Sequence, residues 1–390
     1  MTRTITGDVS GALADLGILV PLTAALVVVN GLDVGSVLLI AGLLVVTAGL
    51  VFRIPFPVQP LKALTALAVA QQLAPDVIHA AGLEIGVVLL FMSLTGLATW
   101  LSKLFTKPVI RALQFGVGWL LVVTAVKLVL KPPAVFVHSP SSRTGLLLAA
   151  LTVGVVMIAA WRRWYVLSIV LVVVGVIVTL LVEQPSFGGP SIDLPTFSIP
   201  PWSVFGTAFV LLVIPQIPLT YGNAVVGVSD LAHQQFGERA DRVSPSRVAL
   251  VCGLGNVVSA TFGGMPMCHG SSGLSAHVRM GAQTWKMNAM LGGVLVTLGV
   301  FFSDQVLEMF GLLPVWILGG FLAYAGIRHA LLVLDLAPLQ IAIAVAAAAV
   351  GIWTSNLAYT TAIALIVAQA PVVVSRIRTA GSNKRTTSEK

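Results

Sequence analysis

Apolar runs of about twenty residues, separated by short polar or Pro/Gly-containing links, repeat along the whole chain. They fall at 12–30, 34–52, 57–74, 82–101, 109–129, 145–161 and 164–182, then at 204–230, 247–262, 266–280, 288–303, 312–330, 337–353 and 355–375. A membrane-crossing helix needs roughly 20 such residues, so the pattern predicts an all-α polytopic membrane protein of about fourteen segments. The polar stretch EQPSFGGPSIDLPTFSIPPW divides the series into two sets of seven. The expected organisation is a first repeat at 1–183, an extracytoplasmic linker at 184–202, a second repeat at 203–375 and a cytoplasmic tail at 376–390. The first apolar run continues too far for the core of a cleaved signal peptide and reads as a spanning helix.

Composition agrees with this pattern. Of the 390 residues, 57% are hydrophobic and 9% charged, against roughly 25% charged in soluble domains. The net charge of +8 does not describe a nucleic-acid groove, because the basic residues sit in short links and in the tail. With the N-terminus inside, 18 of the 22 Lys and Arg residues fall on the cytoplasmic side, as orientation in a membrane requires. The expectation is an integral protein of the cell (inner) membrane, with both termini cytoplasmic. Lys127, Lys131 and Arg143 fall on the outer side against this bias, and Lys62 lies inside a segment. The two cysteines, Cys252 and Cys268, form no disulfide framework and no metal-ligand spacing. No motif for a metal, cofactor or enzyme chemistry is present, including a P-loop.

An internal repeat sharpens the picture. VPLTAALVV (20–28) returns as IPLTYGNAVV (217–226), and a short proline-opened segment follows each, FPVQPLKA from Phe56 and MPMCHGSS from Met265. Seven is odd, so the second set enters from the opposite face and the repeat is inverted. In transporters of that kind, short Gly/Pro-interrupted segments in matching positions mark the substrate site near the midplane. Proline is accepted in the first turn of a helix, so Pro57 and Pro60 are expected to open one half-helix and Pro266 another. Two N-termini meeting there would favour an anion. Two readings of Lys62 remain: a cation at that site, or a side chain snorkelling to the headgroups.

GALADLGILVPL (11–22), FPVQPLKALTA (56–66), IPQIPLTYGNAVVGVSDL (214–231) and NVVSATFGGMPMCHGSSGLSAHVRMGA (256–282) together resemble the molybdate transporter family, relatives of the sulfate permeases without their cytoplasmic regulatory domain. The chain departs from that family's pattern at Ala14, where glycine is usual before Asp15, and at Leu61, where methionine is common. The resemblance implies segments one to four and eight to eleven as a core domain and the others as a gate. It also implies a site between the third and tenth segments and elevator-type alternating access. The implied substrate is molybdate, or sulfate as its near twin, and related carriers dimerise. An anion channel and a nucleobase–proton symporter on the same fold are the alternatives, although the second opening lacks the carboxylate expected for a nucleobase.

The expected substrate-binding residues are Gln59, Lys62, Cys268, His269, Gly270, Ser271 and Ser272, with Thr23, Tyr221 and Asn223 behind them. Gln59 offers amide donors or a helix cap. Ser271 and Ser272 offer hydroxyls, while Gly270 permits close approach of a ligand or tight helix packing. His269 is placed to donate to an oxyanion, to carry a co-transported proton, or to act structurally. Cys268 fits a small buried apolar residue better than a ligand. Asp15, ionisable within a span, is expected to balance charge with Lys62 or to accept a proton.

Overall fold

The computed structural model describes residues 2–96, 106–132 and 141–162, positions 170, 174, 177 and 181, and residues 189–368 except 191, 193, 313 and 355. Segment 164–182 therefore lies largely outside the described residues, as does the tail. The architecture is helical. The first half contributes α1 (Thr2–Asn30), α2 (Val34–Phe52), α3 (Lys62–Ala70), α4 (Pro75–Thr95), α5 (Lys107–Leu130) and α6 (Ser142–Arg162). The second half contributes α7 (Trp202–Ala240), α8 (Pro245–Thr261), α9 (Ser271–Arg279), α10 (Lys286–Phe301), α11 (Ser303–Leu312), α12 (Val315–Ala330), α13 (Pro338–Trp353) and α14 (Leu357–Ala368). Five of the described helices are long and apolar enough to cross a membrane, and α10 and α11 form a further candidate pair bent by 101°.

Local chemistry fixes several ends. The Asp33 carboxylate accepts from the Ser36 N–H at 2.7 Å to cap α2, and Ser244 caps α8 by accepting from the Arg247 N–H at 3.3 Å, satisfying donors that a helix start leaves open. α7 carries π-helical turns at Phe209–Val213 and Thr220–Gly227. These turns flank Pro215 and Pro218, whose missing N–H groups break the regular ladder. The two prolines within 204–230 are the sequence sign of that irregularity.

The third and tenth segments differ most from the rest. α3 and α9 have nine residues each, about 14 Å of helix against a hydrocarbon core of roughly 30 Å. Each follows extended chain containing a two-residue strand, β1 (Gln59–Pro60) or β2 (Met267–Cys268). The strands pair antiparallel with Gln59 opposite Cys268 and Pro60 opposite Met267, and the Leu61 N–H donates to the Pro266 carbonyl at 3.0 Å. The helices therefore start at Lys62 and Ser271 rather than at the prolines. Pro57, Pro60 and Pro266 stand in the extended entries, where their fixed φ is equally at home and no ladder donor is missed.

Extended backbone deep in an apolar core needs partners. Two asparagines supply them. Asn288 on α10 accepts from the Phe56 N–H at 3.0 Å and donates to the Phe56 carbonyl at 2.6 Å. Asn256 on α8 does the same for Met267, at 2.9 Å and 2.7 Å.

Around this centre the helices cross at glycines. A Cβ on Gly42 of α2 would come within 2.7 Å of the Gly292 carbonyl oxygen on α10, and one on Gly292 within 2.6 Å of the Gly42 oxygen. Gly86 of α4 and Gly253 of α8 face each other in the same reciprocal way, at 2.9 Å and 3.0 Å. Gly118 of α5 and Gly326 of α12 form a third such crossing. Small residues let membrane helices approach backbone to backbone.

Candidate functional site

The entry strands bring the starts of α3 and α9 side by side. A helix start leaves its first N–H groups without intrahelical acceptors. Two of these are already engaged here: Leu61 by Pro266, and Leu64 by the Gln216 side chain of α7, whose Oε1 accepts at 2.8 Å. Gln216 also donates to Thr220 Oγ1 at 2.9 Å, which fixes its orientation.

Polar side chains converge on Gly270, the residue before α9. A Cβ built there would lie 3.4 Å from Asn223 Nδ2, 3.4 Å from Gln59 Oε1 and 3.7 Å from Lys62 Nζ. Lys62 Nζ donates to Ser272 Oγ at 2.7 Å, tying α3 to α9. Ser271 Oγ donates to Asn223 Oδ1 at 2.5 Å, tying α9 to α7. Gly273 is required by space, since a Cβ would lie 2.5 Å from Gln59 Nε2 and 2.7 Å from Pro57 Cβ. Gln59 itself is fully buried.

Lys62 and Ser272 open onto a cavity of about 270 Å³. One wall comes from α1, α3 and α9, including Pro21 and Leu22. The other comes from α5 and α12, with Leu121, Phe321, Tyr324, Arg328 and His329. None of the described residues lining it is acidic, and Lys62 and Arg328 are cationic. Helix starts, a lysine, hydroxyls and an arginine around one cavity can hold an anion. Among the described residues, no group of three His, Cys, Asp or Glu side chains could hold a metal ion.

Not every expected residue reaches this cavity. His269 is turned to the back of the strands: its Nδ1 hydrogen-bonds the Pro57 carbonyl at 2.9 Å and its ring meets Phe56 edge-on at 5.1 Å. With Cys268 and Cys252 it lines a separate void of about 10 Å³. Thr23 donates to Met265 Sδ at 3.4 Å and faces an apolar cavity between α1, α2 and α10. Tyr221 is buried within α7. The Asp15 side chain lies outside the described residues. Gln216, Asn256, Asn288, Arg328 and His329 escape the sequence reading. Gln216, Asn256 and Asn288 are lone amides in largely apolar runs and Arg328 and His329 an adjacent pair at the end of one, and the clearest signal for any of them is the interruption of α7 by Pro215 and Pro218 beside Gln216.

The architecture is that of membrane anion transporters. The transmembrane domain of a cyanobacterium bicarbonate transporter, BicA, superposes with a TM-score of 0.68 at 16% identity, covering 92% of this chain and 98% of that one. The family described as molybdate transporter of the MFS superfamily matches residues 7–121 and 208–328, and the chain belongs to that family. Molybdate transporter 2 of Arabidopsis thaliana is 29% identical over 370 residues, 84% of this chain and 78% of the relative. Molybdate transporter 1 of the same plant is 28% identical over 375 residues, 86% of this chain and 81% of the relative.

Proposed function

We propose that this protein is a secondary active carrier of a tetrahedral oxyanion, molybdate in the first place and sulfate as its near twin. The observation that carries the reading is the convergence of Lys62, Gln59, Asn223 and Ser272 around Gly270, at two helix starts beside a cavity whose described lining carries Lys62 and Arg328 and no acidic residue. A dianion gains from both dipole ends and from the lysine, and the apolar remainder of the cavity strengthens each of these interactions.

The same reading assigns the helices to two bodies within fourteen segments. α1–α4 and α7–α10 form the core that carries the site, and α5, α6 and α12–α14 form the gate. The reciprocal glycine crossings support an inverted repeat of 1–183 and 203–375. α2 crosses α10 as α8 crosses α4, which exchanges the two halves, and the crossing of α5 with α12 joins two helices that are each other's counterparts. The cavity lies on the seam between core and gate, which supports access by movement of one against the other. Both termini are cytoplasmic on the charge bias, and proton coupling and a homodimer complete the proposal.

The test is uptake of radiolabelled molybdate by proteoliposomes. Lys62→Ala removes a charge-assisted hydrogen bond of about 1.5–3 kcal/mol, on the order of a tenfold to hundredfold weaker binding. Uptake is expected to fall accordingly and to be competed by sulfate. Uptake unchanged in both Lys62→Ala and Gln59→Ala would remove the site from this position.

A further inference from the structure

Two lysines set against the charge bias of the sequence, Lys127 and Lys131, meet in the structure at the far end of the seam that holds Lys62. They line a second cavity, of about 380 Å³, with Thr124 of α5, Val29 of α1, and Val69 and Gln72 at the end of α3. On the orientation proposed above this end faces outside. The same three helices therefore border both cavities. From Lys62 to Val69 along α3, and from Leu22 to Val29 along α1, is seven residues, about 10 Å of helical rise. The intervening layer is closed by Ala25, Leu26 and Ala66, all fully buried. It contains the Thr65 hydroxyl, one turn from Lys62, which is buried with no hydrogen-bond partner among the described residues.

We propose that this outer cavity is a capture site for the oxyanion before it reaches Lys62, with Lys127 and Lys131 supplying the attraction. Three helix C-termini converge here, each worth roughly half a negative charge, so two lysines leave a weakly positive site. Part of that negative field is already answered. Asn30 Nδ2 donates to the carbonyls of Ala68 and Leu73, at 2.9 Å each. The balance suits a site that collects an anion and lets it go. Gln72, just past the end of α3 with φ of 51°, adds an amide to the cavity wall.

The inference rests on the oxyanion reading, and the experiment separates the two. In right-side-out proteoliposomes, the paired variant Lys127→Gln, Lys131→Gln is expected to raise KM for external molybdate roughly threefold to tenfold, with the maximal rate kept. The rise is expected to shrink at high salt, because the Debye length falls to about 3 Å at 1 M. Exit from the inside should be unaffected. In parallel, Thr124→Cys is treated from outside with an impermeant anionic thiol reagent, and millimolar external molybdate is expected to slow its modification. An unchanged KM, an equal effect on exit, or a cysteine that is not reached or not protected would each overturn the capture site. Loss of all uptake in the unsubstituted chain would instead overturn the carrier reading, while the protection assay would still report on the outer cavity.

Discussion

Gly273 faces the Gln59 amide across a gap that no side chain can enter. A methyl group there would lie 2.5 Å from Nε2 and 2.7 Å from Pro57 Cβ, and Pro57 belongs to the fixed extended entry. The amide must therefore swing away from Gly270. Gly273→Ala is expected to fold, since alanine favours a helix, yet to lose molybdate uptake by about tenfold, the loss expected for about 1.4 kcal/mol of misplaced hydrogen bonding. Full uptake by proteoliposomes of this variant, with its melting temperature unchanged, would refute that. His269 separates along the other direction. Its ring bonds the Pro57 carbonyl and packs on Phe52 and Phe56, so His269→Ala should lower stability by about 1–3 kcal/mol through an orphaned carbonyl and a void. A loss of uptake without any fall in melting temperature would show instead that the imidazole works in transport. The PVQP and MPMCHGSS runs were legible because prolines, a lysine and hydroxyls stand out in apolar surroundings. Which way each side chain points was not legible: adjacent Cys268, His269 and Gly270 belong to an extended turn whose facing is decided by its pairing with β1.

At the scale of elements, the two entry strands explain how irregular chain survives at this depth. A pair of two-residue strands cannot stand alone in either solvent. It persists because Asn256 and Asn288 each take up a backbone N–H and C=O from a neighbouring helix. Removing Asn288 leaves both buried Phe56 backbone groups unsatisfied, whereas without Asn256 the Met267 carbonyl still accepts from the Cys252 thiol. Asn288→Ala is therefore expected to cost about 2–4 kcal/mol and to lower the melting temperature of the purified protein by several degrees, and a shift of under one degree would count against the clamp. Most of the described helices were legible, because hydrophobic run length sets them, but α11, between the runs at 288–303 and 312–330, was not. The start of α3 and α9 at Lys62 and Ser271 was not. Proline reads as a helix opener from sequence, whereas the pairing of Pro60 with Met267 holds it in extended chain.

At the scale of the whole molecule, the placement of the two cavities bears on how an anion would cross. Both lie between α1 and α3 on one side and α5 on the other, and the inner one is also walled by α12. The layer between them is about seven residues deep along α1 and α3, and three along α5, from Leu121 to Thr124. A fixed pore would have to hydrate that layer, where Leu26 and Ala66 are fully buried. Sliding α3 along α5 by the same rise, about 10 Å, would instead carry Lys62 from the level of Leu121 toward that of Leu128, with the layer left intact. The internal repeat in the sequence pointed to a site near the midplane, but the seam itself depends on which helices pack together, and no local pattern encodes that. The two mechanisms make opposite predictions for a cross-link. Leu22→Cys on α1 and Ala325→Cys on α12 stand on opposite walls of the inner cavity, so a short bifunctional thiol reagent joining them should stop net uptake, with recovery on reduction. Leu121→Cys with Leu322→Cys joins two helices of the same wall and should leave uptake largely intact. Continued flux through the Leu22–Ala325 cross-linked protein would mean that the walls need not move, and the carrier would have to be read as a channel.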